Sequence, residues 1–288
     1  MAHAGTTVTN TTTNPTRISA RFAALRRSGE MGLVAYLTAG DPSIEATEKF
    51  VLALAEAGAD VIELGVPFSD PVADGPVIQR ASERALRDGT TLTKVLSLVK
   101  SLRAKTDVPL VLFSYFNPVL QMGLEKSGDA AKAAGADGVL ITDLTPEEAI
   151  DYRAVMSTRG LDTIFLAAPT STDERLALIA KSTSGFLYVI SRTGVTGAKD
   201  QLAEELPALA RRVRRATDLP IAIGFGISQP GHVSLLGGLA DAAVVGSALV
   251  EEIERAGSVD AAAVALSARV KSLKGAAVSG LSRREPRG

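Results

Sequence analysis

Along most of this chain, short apolar runs alternate with longer stretches in which apolar positions recur at helical spacing. Eight runs read as strands: Leu33–Thr38, Val61–Gly65, Leu110–Phe113, Gly138–Thr142, Thr163–Ala167, Phe186–Ile190, Ile221–Phe225 and Ala242–Gly246. Each is rich in Val, Ile and Leu, as expected of strands covered on both faces. The segments between them predict helices. Ile44–Ala57 opens on Asp41-Pro42-Ser43, and Pro146–Thr158 follows Thr145 with Glu148 at capping-box spacing.

A faint repeat supports this alternation. The segments 55–65 (AEAGADVIELG), 132–143 (KAAGADGVLITD) and 237–247 (GGLADAAVVGS) share one order: helix end, small residue, Asp, buried strand. Gly58 and Gly135 fall where a helix C-terminus calls for a left-handed residue. Eight such units predict an α/β fold, a single (β/α)8 TIM barrel with an extra N-terminal helix. The barrel is expected over 16–275. The Thr/Asn-rich residues 1–15 read as a disordered tail and 276–288 as a flexible one. An open doubly wound sheet is the other fold weighed. It calls for a Gly-rich turn after the first strand, which YLTAGDP (36–42) matches poorly.

Composition then narrows the chemistry. In 288 residues there is no cysteine, which excludes disulfides, thiolate metal sites and cysteine nucleophiles. Two histidines, His3 and His232, leave little scope for a histidine metal site, and no metal is expected. Acid–base work falls mainly to carboxylates, lysines or tyrosines. A net charge of −1 offers no field for nucleic acid or anionic membrane. With no long apolar run and no signal-like N-terminus, a cytoplasmic protein is expected.

In a barrel of this kind the site lies at the C-terminal ends of the strands. In Val61–Gly65 the period of two sets Ile62 and Leu64 against the helices and turns Glu63 inward. Burial would raise its pKa toward the range a general acid needs; an internal ion pair is the alternative. Asp70 and Asp74 follow on a Pro- and Gly-rich loop, where Asp is also a common turn former. Tyr188 faces inward from the sixth strand, as a site residue or as structure. Ser191–Gly197 suits a lid over ligand or an ordinary surface loop. The last two strands end in Gly224–Ser228 and Val244–Leu249, whose small residues and Ser228 and Ser247 suit a phosphate held by backbone N–H groups. No strand contains a lysine, against Schiff-base chemistry. His232 reads as an exposed helix residue.

With those residues in view, ELGVPFSDPVADGP (63–76) closely resembles the signature of the tryptophan synthase alpha chain family. YLTAGDP (36–42), SYFNPVL (114–120), LYVISRTGVTG (187–197) and GFGIS (224–228) match in order, and the resemblance spans roughly 17–272. It implies retro-aldol cleavage of indole-3-glycerol phosphate, with indole passed to a pyridoxal-phosphate-dependent beta chain in an αββα complex. No cofactor is expected in this chain. By match, Glu63 and Asp74 are catalytic, and Tyr36, Tyr188, Thr196 and Phe225 bind substrate. Gly197, Gly226, Gly246 and Ser247 hold phosphate. Pro67, Phe68, Asp70, Pro71, Asn117 and Pro118, with Leu144 and Pro146, offer a surface for the beta chain. Thr142 and Thr145 stand where many members carry proline, which would loosen a partner-facing loop; Tyr36 stands where some carry Phe. Two other readings stay open: a free-standing lyase that releases indole, and a catalytically silent barrel that binds a phosphate metabolite.

Overall fold

The computed structural model describes residues 15–190, 199–224 and 226–279. Among these, nine parallel strands form one sheet: β1 (Gly32–Thr38), β2 (Val61–Gly65), β3 (Leu110–Ser114), β4 (Gly138–Ile141), β5 (Asp162–Ile164), β6 (Leu166–Ala167), β7 (Leu187–Ile190), β8 (Ile221–Gly224) and β9 (Ala242–Val245). The order β5-β4-β3-β2-β1-β9-β8-β7-β6 closes on itself, because β5 and β6 are one stave interrupted at Phe165. Its lower half pairs with β4 and its upper half with β7. Alternation runs through the break: Ile164 and Leu166 face the axis, and Phe165 and Ala167 face the helices. The barrel is thus eight-staved, and the pairing of β1 with β9 rules out the open sheet.

The connecting helices are α1 (Arg17–Ser28), α2 (Ile44–Glu56), α3 (Pro76–Arg87), α4 (Leu92–Arg103), α5 (Phe116–Met122), α6 (Leu124–Ala134), α7 (Ile150–Thr158), α8 (Asp173–Ser182), α9 (Lys199–Ala216), α10 (Pro230–Leu235), α11 (Ser247–Arg255) and α12 (Val259–Ser279). The larger core lies between barrel and helices and contains Ile62 and Leu64. A second core fills the barrel from below. There α1 lays Ile18, Phe22 and Leu25 across the ends of the strands, against Val34, Val61, Val111 and Phe186. Thr16 caps this helix by accepting the Ser19 N–H at 3.1 Å, and Gly29 (φ 70°) ends it.

The sequence repeat has a physical cause at the same end. Asp60, Asp137 and Asp241 each begin a strand and reach back to the strand before. The Asp137 N–H donates to Leu110 O at 2.9 Å while its Oδ2 accepts the Leu110 N–H at 2.8 Å. Asp60 does the same with Leu33, and Asp241 with Ile221. A cation completes each: Lys274 and Arg21 on Asp60, Arg103 and Arg17 on Asp137, Arg214 on Asp241. The small residues ahead of each Asp let the chain turn tightly enough for this reciprocal pair.

Two boundaries differ from those the sequence suggests. Helix α7 begins at Ile150, after Ala149 sinks into the core. Thr145 and Glu148 do meet, hydroxyl to carboxylate at 3.0 Å, but in a separate turn ahead of the helix, so they cap nothing. Helix α12 runs to Ser279 with Ala277 fully buried, so its last four residues, 276–279, fall within the expected C-terminal tail.

Asp137→Ala should cost about 2–4 kcal/mol, because it leaves the buried Leu110 N–H without its acceptor and removes the carboxylate that Arg103 and Arg17 pair with. The shift in the urea midpoint measures this.

Candidate active site

At the C-terminal end of the barrel, Tyr36, Glu63, Asp74, Tyr188, Gly226 and Gly246 line one cavity of ≈ 420 Å³. Glu63 is fully buried, and neither carboxylate oxygen has a hydrogen-bond partner among the described residues. Loss of water pushes its pKa up to about 8. The strand's period forces this position: Ile62 and Leu64 are buried against the helices, so Glu63 can only face the axis.

Two tyrosine rings shape the space around it, and two glycines admit them. A Cβ on Gly65 would fall 2.1 Å from the Tyr36 hydroxyl oxygen, and one on Gly224 would fall 2.6 Å from that of Tyr188. Tyr36 also meets Phe113 edge-on, centroids 5.2 Å apart, and its hydroxyl lies 3.4 Å from Thr38 Oγ1. Burial raises both tyrosine pKa values, so both stay neutral hydroxyls.

Asp74 lies on the loop into α3 in a wetter place. Burial again dominates and lifts its pKa to about 6, partly offset by the Tyr115 hydroxyl, which donates to Oδ2 at 3.2 Å. The same hydroxyl accepts the Ala73 N–H at 2.9 Å, and the Tyr115 ring stacks on Phe68 with centroids 5.0 Å apart. At neutral pH the cavity therefore offers a protonated acid at Glu63 and an anion at Asp74.

Across the cavity, α11 starts at Gly246 with no side-chain cap, and Gly246, Ser247 and Ala248 line the space. The first N–H groups of a helix lack intrahelical partners and favour an anion. Gly226 and Ser228 border the same region from the loop after β8. Helices α3 and α11 are tied by charge. Glu254 accepts Nε and Nη2 of Arg80, each at 2.7 Å, and Nη1 of Arg84 at 3.0 Å, and Arg84 grips buried Asp41 at 2.7 and 2.8 Å. These pairs hold the Glu254 carboxyl down at about 2.

The structure thus brings Tyr36, Glu63, Asp74, Tyr188, Gly226, Gly246 and Ser247 together. Thr196, Gly197 and the rest of the proposed lid, with Phe225, lie outside the described residues. Of the partner-facing residues, Asp70 and Asn117 are exposed and Phe68, Pro71 and Pro118 half-buried. Pro67, Leu144 and Pro146 are buried and brace the loops from within, so they present no surface to a partner. Val72, Leu120 and Ile150 stand exposed on loops and helices following the barrel's C-terminal end, and single apolar residues on such segments carry no sequence signal. Thr142 lines the cavity beside Tyr115. His232 is half-buried, and its Nδ1 accepts the Ser228 N–H at 3.3 Å. Tyr115 is the site residue that sequence reasoning missed; its place at the end of the third strand was the available signal.

A closed barrel that sets a dry carboxylic acid and an ionised carboxylate in one cavity, opposite an uncapped helix N-terminus, is an acid–base enzyme of the TIM-barrel class. Comparison with known proteins makes this specific. The profile of the tryptophan synthase alpha chain family matches residues 22–278. The tryptophan synthase alpha chain of Solibacter usitatus is 53% identical over 259 residues, 90% of this chain and 97% of that one. That of Geobacter sp. (strain M21) is 52% identical over 239 residues, 83% and 90%. The crystal structure of tryptophan synthase subunit alpha from Legionella pneumophila superposes with a TM-score of 0.83 at 37% identity, covering 91% of this chain and 98% of that one. A Mycobacterium tuberculosis tryptophan synthase structure gives 0.83 at 35%, covering 92% and 99%. The chain belongs to the tryptophan synthase alpha chain family. Its activity is a lyase's, the cleavage of indole-3-glycerol phosphate to indole and glyceraldehyde 3-phosphate.

The dry Glu63 predicts a stability cost. The folded chain keeps its proton up to about pH 8, whereas an ordinary glutamate releases it near 4.5. Stability from this group is full below that lower value and is lost as pH rises towards 8. Glu63→Gln removes the loss and should stabilise the empty protein on the order of 3 kcal/mol at pH 7, and hardly at all at pH 4. Unfolding curves at the two pH values measure the difference.

Proposed function

We propose that Glu63 and Asp74 carry the cleavage, and that the uncapped start of α11 with the loop after β8 holds the substrate phosphate. The observation that carries this reading is the unpartnered Glu63 carboxyl facing the same cavity as Asp74. In the first step the Glu63 acid gives its proton to indole C3, and positive charge develops on the ring N–H. Asp74, ionised and steadied by Tyr115, accepts a hydrogen bond from that N–H and stabilises the charge as it forms. Glu63 is now a carboxylate in a dry site, where it is a strong base. It takes the proton of the glycerol hydroxyl next to C3. The C3–C bond breaks, its electrons return to the ring as indole forms, and the aldehyde of glyceraldehyde 3-phosphate is released. Glu63 is protonated again, so no external acid is consumed.

At the other end, the dianion fits the backbone N–H groups of Gly226, Gly246 and Ser247. Tyr36 and Tyr188 wall the indole and glycerol portions. The product is apolar and small, which favours transfer to a bound partner. In this reading the partner is a beta chain that carries pyridoxal phosphate, the assembly is αββα, and it works in the cytoplasm. Among the described residues no helix is long and apolar enough to cross a membrane. Asp70, exposed on the loop after β2, with Val72, Leu120 and Ile150, suits that interface. The loop conveys position inward. Ser69 Oγ donates to Asp70 Oδ2 at 2.6 Å, Val72 N–H to Asp70 O at 2.9 Å, and Asp74 N–H to Pro71 O at 3.0 Å.

Activity should need Asp74 ionised and Glu63 protonated. A pH profile of kcat/KM should rise through about 6 and fall through about 8. Glu63→Gln should lower indole formation at least about 100-fold while the fold is kept. Near-normal turnover in that variant would sink the assignment.

Asp70→Ala should leave the isolated chain folded and its basal activity unchanged, and reduce its activation by added beta chain. Full activation would remove Asp70 from the coupling.

A further inference from the structure

We propose that Arg269 on α12 is a positioning residue that sets the spacing between the two halves of the phosphate site; the inference rests on the phosphate reading above. The two halves come from different units. Gly226 and Ser228 follow β8, and Gly246 and Ser247 open α11. One guanidinium bridges the Ser228 loop to the body of α11, at Glu252. Its Nη1 donates to the Ser228 carbonyl at 3.2 Å, while Nε, at 3.0 Å, and Nη2 donate to Oε1 of Glu252 on α11. The Ser228 peptide is held from its other side by His232, whose Nδ1 accepts the Ser228 N–H. Side chains from α10 and α12 therefore fix a loop residue that has no backbone partner of its own among the described residues.

The pair is one-third exposed at Arg269 and one-fifth at Glu252. Ion pairs this wet add little to overall stability. Their effect lies in geometry, since a planar fork with donors in fixed directions holds two acceptors at one separation. Its charge is already matched by Glu252. The neighbouring carboxylate, Glu251, borders the cavity and is paired with Arg255 at 2.9 Å. Arg269 thus acts by spanning, and lysine cannot replace it, because an ammonium cannot reach both acceptors in the same way.

Steady-state kinetics with indole-3-glycerol phosphate, inhibition by glycerol 3-phosphate, and thermal melting test this together. Arg269→Met and Arg269→Lys should each raise KM and the glycerol 3-phosphate inhibition constant by about 3- to 10-fold, with kcat within about 2-fold and the melting temperature nearly unchanged. Glu252→Gln keeps the acceptor oxygen and should stay near the unsubstituted protein. Gly246→Asp, which puts a carboxylate in the phosphate position, serves as the control for the reading itself. If Gly246→Asp abolishes phosphate binding and Arg269→Met leaves KM unchanged, the inference is overturned and the phosphate reading stands. If Gly246→Asp also leaves KM unchanged, the phosphate reading falls and the inference with it. Full recovery in Arg269→Lys would show that charge alone matters, and a loss of kcat and melting temperature without change in KM would show a merely structural role. Either result overturns the inference.

Discussion

Everything at this site depends on keeping one carboxyl group dry. Water would solvate Glu63, return its pKa to the ordinary range and leave an anion with nothing to donate. The barrel prevents this by geometry. Ile62 and Leu64 are anchored in the outer core, so the side chain between them cannot swing away from the axis. Two tyrosine rings flank the space, and they fit only because Gly65 and Gly224 carry no side chain. Asp74 is treated differently. It sits on a loop, is less enclosed and receives a hydroxyl bond from Tyr115, and its pKa stays lower. Two carboxyl groups of similar intrinsic acidity are thus set apart by their surroundings, one near 8 and one near 6, which is the division of labour the proposed mechanism uses.

The two ends of the site are held by separate devices that meet on α11. Its first turn borders the cavity. Its last turn bears Glu254, gripped by Arg80 and Arg84 of the helix that follows Asp74. Through Arg84 the network reaches Asp41, on the loop after β1, where the charge is almost entirely enclosed. The spacing between the carboxyl pair and the start of α11 is therefore set by helix packing and directed ion pairs, outside the cavity itself.

How much of this could be read from the chain follows from the range of the interactions. Strand order, the inward turn of Glu63 and the aspartate repeat were legible, because each is written within a few residues. The single stave 163–167 was read correctly as one run. Its break at Phe165 was not, because that depends on which neighbour each half finds. The capping-box spacing at Thr145 was real, yet burial of Ala149 moved the helix start. Tyr115 was missed because its partner, Asp74, is 41 residues away. Arg269 was invisible for the same reason, with contacts to Ser228 and Glu252 that arise only when the barrel closes. Pro67, Leu144 and Pro146 were misplaced because rigid apolar loop residues look alike whether they face a partner or the protein's own interior.

The helix beneath the barrel bears on how the chain is made. Helix α1 leaves the ribosome before any strand of the barrel. The surfaces that cover Ile18, Phe22 and Leu25 are spread from Val34 in β1 to Val244 in β9. Its polar anchors are scattered too: Arg21 binds Asp60, Arg17 binds Asp137, and Thr16 donates to Asp162 at 2.6 Å. The earliest element is therefore among the last to be fully covered. During synthesis its apolar stripe stays partly open until nearly the whole barrel has emerged, a window in which chaperones or neighbouring nascent chains can reach it.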